Sequence, residues 1–299
     1  MSVAIPPPSG PVSLRHLRSL IGVVEAGTFT DAGIELGISQ AAVSRNIAAL
    51  EHALGVRLMR RTTRTVELTP AGERAVRLAR RALALLEDLR QEAASGGGTA
   101  RIGYAWSALG RHTPEFQRRW TAAFPGTDLR LTRTHTPTAG LAEGTSDFAI
   151  LRRVPDPAAV ELVLIGVEKR YCAMAADDPL AAKRSVTLAQ AGSSTLAIDL
   201  RTGSTRLDLW PEGGRPEHTV PINDVDDWLT LISSGKARGI TAESTAHQYR
   251  RRGLVYRPVR DAPPVPVYVA WSKTDPPAAR QEVIELLIGL YAGASGDHV

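Results

Sequence analysis

The chain has 299 residues, 43% of them hydrophobic, which is enough to bury a core and long enough to form more than one domain. Its formal net charge of +5 permits a polyanionic partner without requiring one. No apolar run approaches the roughly eighteen residues of a membrane-spanning helix, and the start MSVAIPPPSGPVS lacks the basic and apolar regions of a signal peptide. The composition therefore excludes a membrane span and predicts a cytoplasmic, globular protein.

Two short amphipathic helices are predicted near the N-terminus. The first has Ser13 as a candidate N-cap and can end at Gly27, and the second has Thr30 as a candidate N-cap and can end at Gly37. The apolar side chains of the first helix recur every three or four residues, as in a helix with one buried face, and the second helix has two apolar residues available for burial. The expected buried residues are Leu14, Leu17, Ile21 and Val24 in the first helix and Ile34 and Leu36 in the second.

A third helix is predicted from Ser39, its N-cap, to the glycine at Gly55. The side opposite its apolar face carries small and polar side chains, where a merely solvated helix would more often carry Glu and Lys. The amide of Gln40 and the guanidinium of Arg45 can address base edges or phosphates. A short helix, a glycine turn and such a helix form a helix-turn-helix, whose second helix enters the DNA major groove. The apolar face, with spacings of four, three and four residues, comprises Val43, Ile47, Leu50 and Leu54.

A basic segment follows the third helix. The run RLMRRTTR holds four arginines and no acid, which fits a phosphate-facing surface and fits a solvated basic loop equally well. The overlapping segment RTTRTVELT alternates like a short hairpin, with Val66 and Leu68 placed to pack on the helices. We interpret this hairpin as a wing, with Arg61 and Arg64 over the DNA backbone.

A long helix is predicted next, with Thr69 as its cap and Pro70 in its first turn. Its apolar residues form a heptad seam, so we predict that it pairs with a second copy of the chain; packing against the rest of its own chain is the alternative. Such a dimer would bind two DNA half-sites about one helical turn apart. The Gly/Ser stretch SGGGT, residues 95–99, marks a domain boundary. The seam comprises Ala75, Leu78, Ala82, Leu85 and Leu89.

Beyond this boundary, β-rich segments alternate with helical or Pro/Gly-marked stretches, which is typical of an α/β fold. The single cysteine, Cys172, lies in the apolar run YCAMAA and is interpreted as a buried strand residue, with a reactive thiol as the alternative. The predicted strands are ARIGYAW, DLRLTRT, DFAILR, VELVLIG, KRYCAMAA, STLAID, GLVYRPV and VPVYVAWS.

The segment TFTDAGIELGISQAAVSRNIAALEHALGVRLMRRTTRTVELTPAGE follows the pattern T-x-A-A-x-x-L-x-x-S-Q-x-A-V-S-x-x-I-x-x-L-E-x-x-L-G-x-x-L-F-x-R and ends in L-T-x-A-G. It thereby resembles the DNA-binding domain of LysR-type transcriptional regulators. It departs from the pattern at Gly33, Ala41 and Met59, where Ala, Pro and Phe are usual; Gly33 is expected to cost the second helix up to about 1 kcal/mol. The candidate DNA-binding residues are Thr30, Ser39, Gln40, Ala41, Ser44, Arg45, Arg61, Thr62 and Arg64.

The remainder resembles, more loosely, the effector-binding domain of the same family. TARIGYAW is similar to its first strand, GTSDFAI to its third, and SSGKARGITAES to its V-x-x-G-x-G-I segment, two residues longer here. The resemblance implies an α/β domain like a periplasmic binding protein, with the effector between two subdomains. It also implies a helix between Thr134 and Gly144, shorter than usual. The expected organisation is a winged helix-turn-helix at 1–69, a linker helix at 70–95 and an effector-binding domain at 99–299, whose second subdomain covers about 167–262.

Ligands of open α/β sheets bind beyond the carboxyl ends of strands, so polar residues there are candidates for the effector site. Any one of them can equally be a residue that only caps a turn. The turn RTGSTR, residues 201–206, can cradle an anion or form a surface turn, and Arg133, Arg152 and Arg153 favour an anionic effector. The candidate effector-binding residues are Ser107, Thr134, His135, Thr202 and Asn223.

Motifs for catalysis and metal binding were not found in the sequence. The seven histidines form no H-x-x-x-H or H-E-x-x-H spacing, and no G-x-S-x-G elbow or phosphate-binding glycine loop occurs. His135 is interpreted as a polar wall of the cleft and not as a general base. The sequence predicts a dimeric DNA-binding regulator without cofactor or metal, and the family resemblance implies that a dimer of dimers can also form. Two hypotheses stay open: a small-molecule sensor whose N-terminal helices only dimerise, and an α/β enzyme.

Overall fold

The computed structural model describes residues 10–61, 66–95, 98–155 and 160–293. The chain divides into two compact units. The N-terminal unit contains the residues up to Gly98 together with Glu143–Thr145, and the C-terminal unit contains Thr99–Ala142 and the residues from Ser146 onward. Each unit has its own apolar core.

The N-terminal unit is helical with one two-stranded antiparallel sheet, in which Met59 lies opposite Leu68. The predicted three short helices, the hairpin and the long helix are confirmed. The tip of the hairpin, residues 62–65, lies outside the described residues. In chain order the elements are α1 (Leu14–Ala26), α2 (Phe29–Leu36), α3 (Gln40–Leu54), β1 (Met59–Arg61), β2 (Val66–Leu68) and α4 (Pro70–Ser95).

The helix ends follow the capping residues, with one correction. Ser39 caps α3 as predicted, because its Oγ accepts from the amide of Ala42 at 3.2 Å. The predicted N-cap Thr30 is wrong: Thr28 caps α2, since its Oγ1 accepts from the amide of Asp31 at 3.1 Å, and Thr30 lies in the first turn. The three helices end, as predicted, at left-handed glycines: Gly27, Gly37 and Gly55.

The core of the N-terminal unit is formed by all four helices and the hairpin. The predicted inner residues of α3 are confirmed except Leu54, which lies at the helix end and is exposed. In α1, Leu20 is fully buried. The predicted residues Leu17, Ile21 and Val24 are partly buried beside it, and the predicted residue Leu14 is exposed. Ile34 is 75% exposed, so its predicted burial is wrong; α2 turns Ala32 to the core instead. The core residues are Leu20, Val23, Ala32, Val43, Ile47, Leu50, Leu58, Met59, Val76 and Ala79.

The C-terminal unit alternates strands and helices, which confirms the α/β prediction. Its helices are α5 (Thr113–Ala123), α6 (Leu188–Gly192), α7 (Val225–Ser233), α8 (Glu243–Gln248) and α9 (Arg280–Gly293). Its strands are β3 (Gly98–Tyr104), β4 (Thr127–Arg133), β5 (Phe148–Leu151), β6 (Val160–Glu168), β7 (Arg170–Ala175), β8 (Leu196–Ile198), β9 (Thr219–Pro221), β10 (Gly239–Ala242), β11 (Leu254–Pro258) and β12 (Val265–Ser272).

These strands form two subdomains within the C-terminal unit. Five strands in the order β4-β3-β5-β12-β6 form the first sheet, which packs with α5 and α9 around one core. Strands β10-β7-β11 form the second sheet, and β8 pairs in parallel with β9 beside it. The chain crosses to the second subdomain between β6 and β7 and returns between β11 and β12. A cleft can therefore form where the two crossovers bring the sheets together.

Two features of this unit differ from the sequence prediction. Strands β9 and β10 were not predicted, and each has only a few residues with no clear alternation. The prediction of a helix between Thr134 and Gly144 is wrong, because this segment forms turns. Pro137 lies within it, and Ala139 and Gly140 have φ values of 48° and 95°, which a right-handed helix does not allow.

Cys172 occupies the middle of β7 and is fully buried in the core of the second subdomain. Burial raises the pKa of its thiol to about 12. A thiol held protonated in this way is a poor nucleophile, because the thiolate is the reactive form. The interpretation of Cys172 as a buried strand residue is confirmed.

Candidate functional site

The turn between α2 and α3 is tight and depends on Gly33. The amide of Ile38 donates to the carbonyl of Gly33 at 2.9 Å. A Cβ on Gly33 would lie only 2.8 Å from the carbonyl oxygen of Ile38, closer than such atoms approach one another. The missing side chain lets the turn close, which offsets part of the helix-propensity cost expected for this glycine.

The helix α3 presents a small, polar surface opposite its buried face. Gln40, Ala41 and Arg45 are exposed and Ser44 is half-buried, all at or near the first turns of the helix. Thr30 and Ser39 are also exposed. The candidate residues of α3 therefore share the N-terminal end of that helix, whereas Thr30 lies in the first turn of α2, at the end of that helix away from the turn into α3. The remaining candidates, the Arg61 side chain, Thr62 and Arg64, lie outside the described residues.

The far end of α3 is fixed to the hairpin by Glu51, a residue to which the sequence analysis gave no role. Its Oε1 accepts from the backbone amides of Leu58 and Met59 at 2.8 and 3.2 Å. Because the partners are backbone groups, no pattern of side chains in the sequence indicates this contact. Glu51 sets the position of the hairpin relative to the exposed face of α3.

We expect Glu51→Ala to lower the unfolding free energy of the N-terminal unit by about 1–3 kcal/mol, because two half-buried amides lose their acceptor. Glu51→Gln keeps an oxygen at Oε1 and is expected to cost less. Urea unfolding of both variants measures the difference. Equal stability of parent, Ala and Gln variants would contradict the role given to Glu51.

The helix α4 has two apolar faces with different surroundings. Val76 and Ala79 are buried in the core of the N-terminal unit, so this face packs within the chain. Most of the predicted seam lies elsewhere on the helix: Leu78, Leu85 and Leu89 are 66%, 56% and 62% exposed, and Ala82 is half-buried. Ala75 is the exception, because it packs against the core of the N-terminal unit. Packing within the chain therefore accounts for one face of α4 and leaves the leucines of the seam exposed.

A cleft of about 370 Å³ lies between the two subdomains of the C-terminal unit. Residues 199–205, which follow β8 and are called the cleft loop here, line much of it. Trp106, after β3, and Arg152 and Arg153, after β5, line it from the first subdomain. Thr241 and Thr245, from β10 and α8, line it from the second.

Asp199 joins the cleft loop to the first subdomain. Its carboxylate accepts from the indole nitrogen of Trp106 at 2.8 Å, from the hydroxyl of Thr202, and from the amides of Arg201 and Thr202 at 2.8 and 3.2 Å. Burial alone would raise the pKa of Asp199, but these hydrogen bonds outweigh burial and hold the pKa below its ordinary value. Asp199 is thus a saturated, ionised anchor of the loop.

The five candidate effector residues occupy different environments. Thr202 lines the cleft, and His135 lies with Nε2 3.3 Å from Asp199 Oδ2, without a hydrogen bond from this atom within the described residues. Ser107 is fully buried and bonds to the hydroxyls of Ser244 and Thr245. Thr134 and Asn223 do not line the cleft; the amide of Thr134 donates to the Tyr104 carbonyl, and Asn223 is exposed.

The imidazole of His135 stays neutral near neutral pH. Burial lowers its pKa, and the nearby carboxylate of Asp199 opposes this shift without overcoming it. His135 therefore contributes a neutral polar edge beside the cleft loop.

A buried ion pair lies in the first subdomain behind the cleft, and a hydrogen bond from Ser244 of α8 links it to the second subdomain. Arg152 donates to Glu168 through Nε and Nη2 at 3.1 and 2.8 Å, and to the carbonyls of Ser107 and Ala108. Glu168 also accepts from the Ser244 hydroxyl at 2.7 Å and from the Tyr291 hydroxyl at 3.0 Å. Burial alone would raise the pKa of Glu168, but Arg152 and these hydrogen bonds outweigh it and lower the pKa.

These contacts change the role expected for two of the three arginines near the cleft. Arg152 is matched by the carboxylate of Glu168. Arg133 lies 3.9 and 3.7 Å from carboxylate oxygens of Asp224 and Asp226, so its charge is also partly matched. Arg153 has no carboxylate partner among the residues that the structure describes, and it donates to the Leu200 carbonyl at 2.7 Å.

Within the described ranges, no three His, Cys, Asp or Glu side chains are grouped so that they could hold a metal ion. None of the helices described is both long enough and apolar enough to cross a bilayer.

Two family profiles match the chain. Residues 14–73 match the profile described as "Bacterial regulatory helix-turn-helix protein, lysR family". Residues 93–291 match the profile described as "LysR substrate binding domain". The two matches together cover most of the sequence.

Individual proteins resemble the chain over nearly its whole length. The uncharacterized HTH-type transcriptional regulator YnfL of Escherichia coli K12 is 30% identical, over 93% of this chain and 99% of that protein. The HTH-type transcriptional regulator BenM of Acinetobacter baylyi is 27% identical, over 94% and 97%.

Solved structures resemble the chain as well. The crystal structure of CbnR, a LysR family transcriptional regulator, has a TM-score of 0.66 and 25% identity, covering 95% of this chain and 100% of that one. A structure of full-length CbnR in complex with its target DNA has a TM-score of 0.65, also at 25% identity, covering 93% of this chain and 99% of that one.

Proposed function

The chain belongs to the LysR family of bacterial transcriptional regulators, and from that membership we propose that it acts as a dimer, or a dimer of dimers, on an inverted-repeat promoter site. The observation that carries the proposal is the exposed face of α3. Gln40, Ala41 and Arg45 leave a small, polar surface at the helix N-terminus, which suits close approach to base edges in the major groove.

Each candidate DNA-binding residue has a proposed role. Gln40, Ala41, Ser44 and Arg45 contact the major groove, with Thr30 and Ser39 beside them at the ends of α2 and α3. Arg61, Thr62 and Arg64 contact the DNA backbone or the minor groove from the hairpin, where they add affinity more than sequence information.

The exposed leucines of α4 supply the dimer contact in this proposal. Leu78, Leu85 and Leu89 project from a helix whose other apolar face, which includes Ala75, already packs within the chain, and a second α4 would cover them together with Ala82. The domain limits proposed are 1–69 for DNA binding, 70–95 for the linker helix and 99–299 for the effector-binding domain.

A small-molecule effector occupies the cleft and acts by linkage. Residues of both subdomains line the cleft, so a ligand there changes the balance between their arrangements only by its differential affinity for them. Thr202 and His135 are the candidate residues at or beside the cleft loop, and Ser107, Thr134 and Asn223 would act by supporting its walls.

The relatives are named as transcriptional regulators, and we propose that this chain likewise catalyses no reaction and works in the cytoplasm. The buried, protonated thiol of Cys172 is not an activated nucleophile. A sensor that uses its N-terminal helices only to dimerise is the second candidate, and the following experiment separates the two.

We expect Arg45→Ala to weaken binding to the specific site by about 1–3 kcal/mol, because Arg45 reads a base edge in this assignment. Arg64→Ala is expected to weaken all DNA sequences alike and to flatten the salt dependence, as loss of a phosphate contact does. Titration of the DNA immediately upstream of its own gene and of an unrelated duplex measures both. Equal affinity of Arg45→Ala and the parent for the specific site would reject the assignment and favour the sensor.

A further inference from the structure

We infer that the effector carries an oxyanion, a carboxylate or a phosphate, and that the cleft loop holds it. The inference rests on the proposed function, because it gives the chemistry of the ligand for the same cleft. Among the described residues, the observations behind it are three arginines without a carboxylate at ion-pair distance, three backbone amides without an acceptor and one carboxylate that is already saturated.

Two of the arginines line the cleft. Arg201 belongs to the cleft loop and is exposed, and Arg153 faces the loop from the first subdomain, where it donates to the carbonyl of Leu200 at 2.7 Å. Across the described part of the chain, neither guanidinium has a carboxylate within the 4.0 Å of an ion pair. Both are therefore available to an anion in the cleft.

The third arginine, Arg170, lies in β7 and is buried against the cleft loop with 7% of its surface exposed. It donates to the carbonyls of Ser204 at 2.9 Å and Pro263 at 2.8 Å, and in the described ranges no carboxylate forms an ion pair with it. Burial lowers the pKa of Arg170 to about 10. The nearest acidic influence on it is Asp208, which is exposed and already paired with Arg206, so the buried charge is only weakly compensated and an anion bound at the loop would be stabilised by it.

The cleft loop also offers backbone donors. Gly203, Ser204 and Thr205 line the cleft, and among the described residues their amides have no hydrogen-bond acceptor. The two preceding amides differ, because Asp199 accepts from both. Successive unpaired amides form a concave site that favours oxyanions.

The acidic groups near the loop do not cancel this positive surface. The carboxylate of Asp199 is fully buried and its oxygens already accept from four donors. Glu168 is matched by Arg152. From the sequence, residues 201–206 could form either an anion-binding turn or a plain surface turn. Their position along the cleft favours the anion-binding turn.

Tryptophan fluorescence of the full-length protein tests the inference. All five tryptophans lie in the C-terminal unit, and Trp106 donates to Asp199 and Thr202 in the cleft loop. The fluorescence therefore responds to anions bound in the cleft and not to anions bound on the DNA-binding surface. The protein is titrated with sodium phosphate and with sodium acetate, each against sodium chloride at equal ionic strength. A saturable change with either oxyanion is expected; tighter phosphate binding identifies a phosphate group and tighter acetate binding a carboxylate.

We expect Arg201→Gln to weaken this binding about tenfold or more, because a charge-assisted contact is lost. The matched control is Arg206→Gln, an exposed arginine at the end of the same turn that pairs with Asp208 at 2.6 Å, and it should bind as the parent does. Responses to both oxyanions no larger than to chloride, or equal binding by Arg201→Gln and parent, would overturn the inference.

DNA affinity is measured on the same preparations so that the two proposals fail separately. Salt-sensitive affinity for the specific DNA without oxyanion binding overturns the ligand chemistry alone. Absence of that DNA affinity overturns the proposed function.

Discussion

Leu85→Asp is expected to convert the protein to a monomer and to lower its affinity for the inverted repeat by about a hundred- to ten-thousandfold. Leu85 is 56% exposed on α4, between Leu78 and Leu89 on the same face. A charge buried at the centre of a paired seam is costly. Each monomer would then bind a single half-site and lose the additional affinity that a dimer obtains by binding both half-sites at once.

Sedimentation and operator titration of the Leu85→Asp variant measure the two effects. Glu87→Asp is the matched control. It introduces the same residue, aspartate, which is a poor helix former, two positions after Leu85 and outside the seam, and it leaves the charge unchanged. The control should remain a dimer. A Leu85→Asp protein that still sediments as a dimer would show that the subunits meet elsewhere.

The second large effect is expected at the buried ion pair of the C-terminal unit. Glu168→Ala should lower the unfolding free energy of this unit by about 3–5 kcal/mol, because it leaves Arg152 buried without a counter-ion. It also removes the acceptor of the hydroxyls of Ser244 and Tyr291. Replacing both partners, Arg152→Met with Glu168→Met, should cost less than Glu168→Ala alone.

The same pair gives a pH dependence with a defined sign. The pKa of Glu168 is lowered in the folded protein, so its contribution to stability is fully present above the unfolded pKa and is lost as pH falls through the folded value. Urea unfolding between neutral and acidic pH should show this loss in the parent and not in Glu168→Ala. Parallel pH profiles, or a cost below about 1 kcal/mol at neutral pH, would contradict the role of the pair.

The helical part of the fold was predictable because its signals are local. The cap at Ser39, the three ending glycines and the spacing of Val43, Ile47 and Leu50 all act within one or two turns of helix. Errors arose where two signals compete over a short distance. Thr28 and Thr30 both resemble caps, and in the eight-residue α2 the choice of Ala32 over Ile34 for the core depends on how the neighbouring helices pack.

The cleft was less predictable, because its contacts join residues far apart in sequence. The sequence indicated the turn at 201–206 and the position of His135 but not the bond from Trp106 to Asp199, whose partners are 93 residues apart. Ser107 follows the first strand as a ligand-binding residue would, yet in the structure it is buried against α8. Polar residues at strand ends share one composition whether they bind a ligand or hold two subdomains together.

The affinity of the purified protein for the DNA upstream of its own gene, measured at about 50 and 200 mM salt, tests the central claim most directly. If the exposed face of α3 and its twofold mate lie in a duplex, that affinity is specific and falls steeply as salt increases. A folded protein with no salt-sensitive preference for this DNA over an unrelated duplex would contradict the claim.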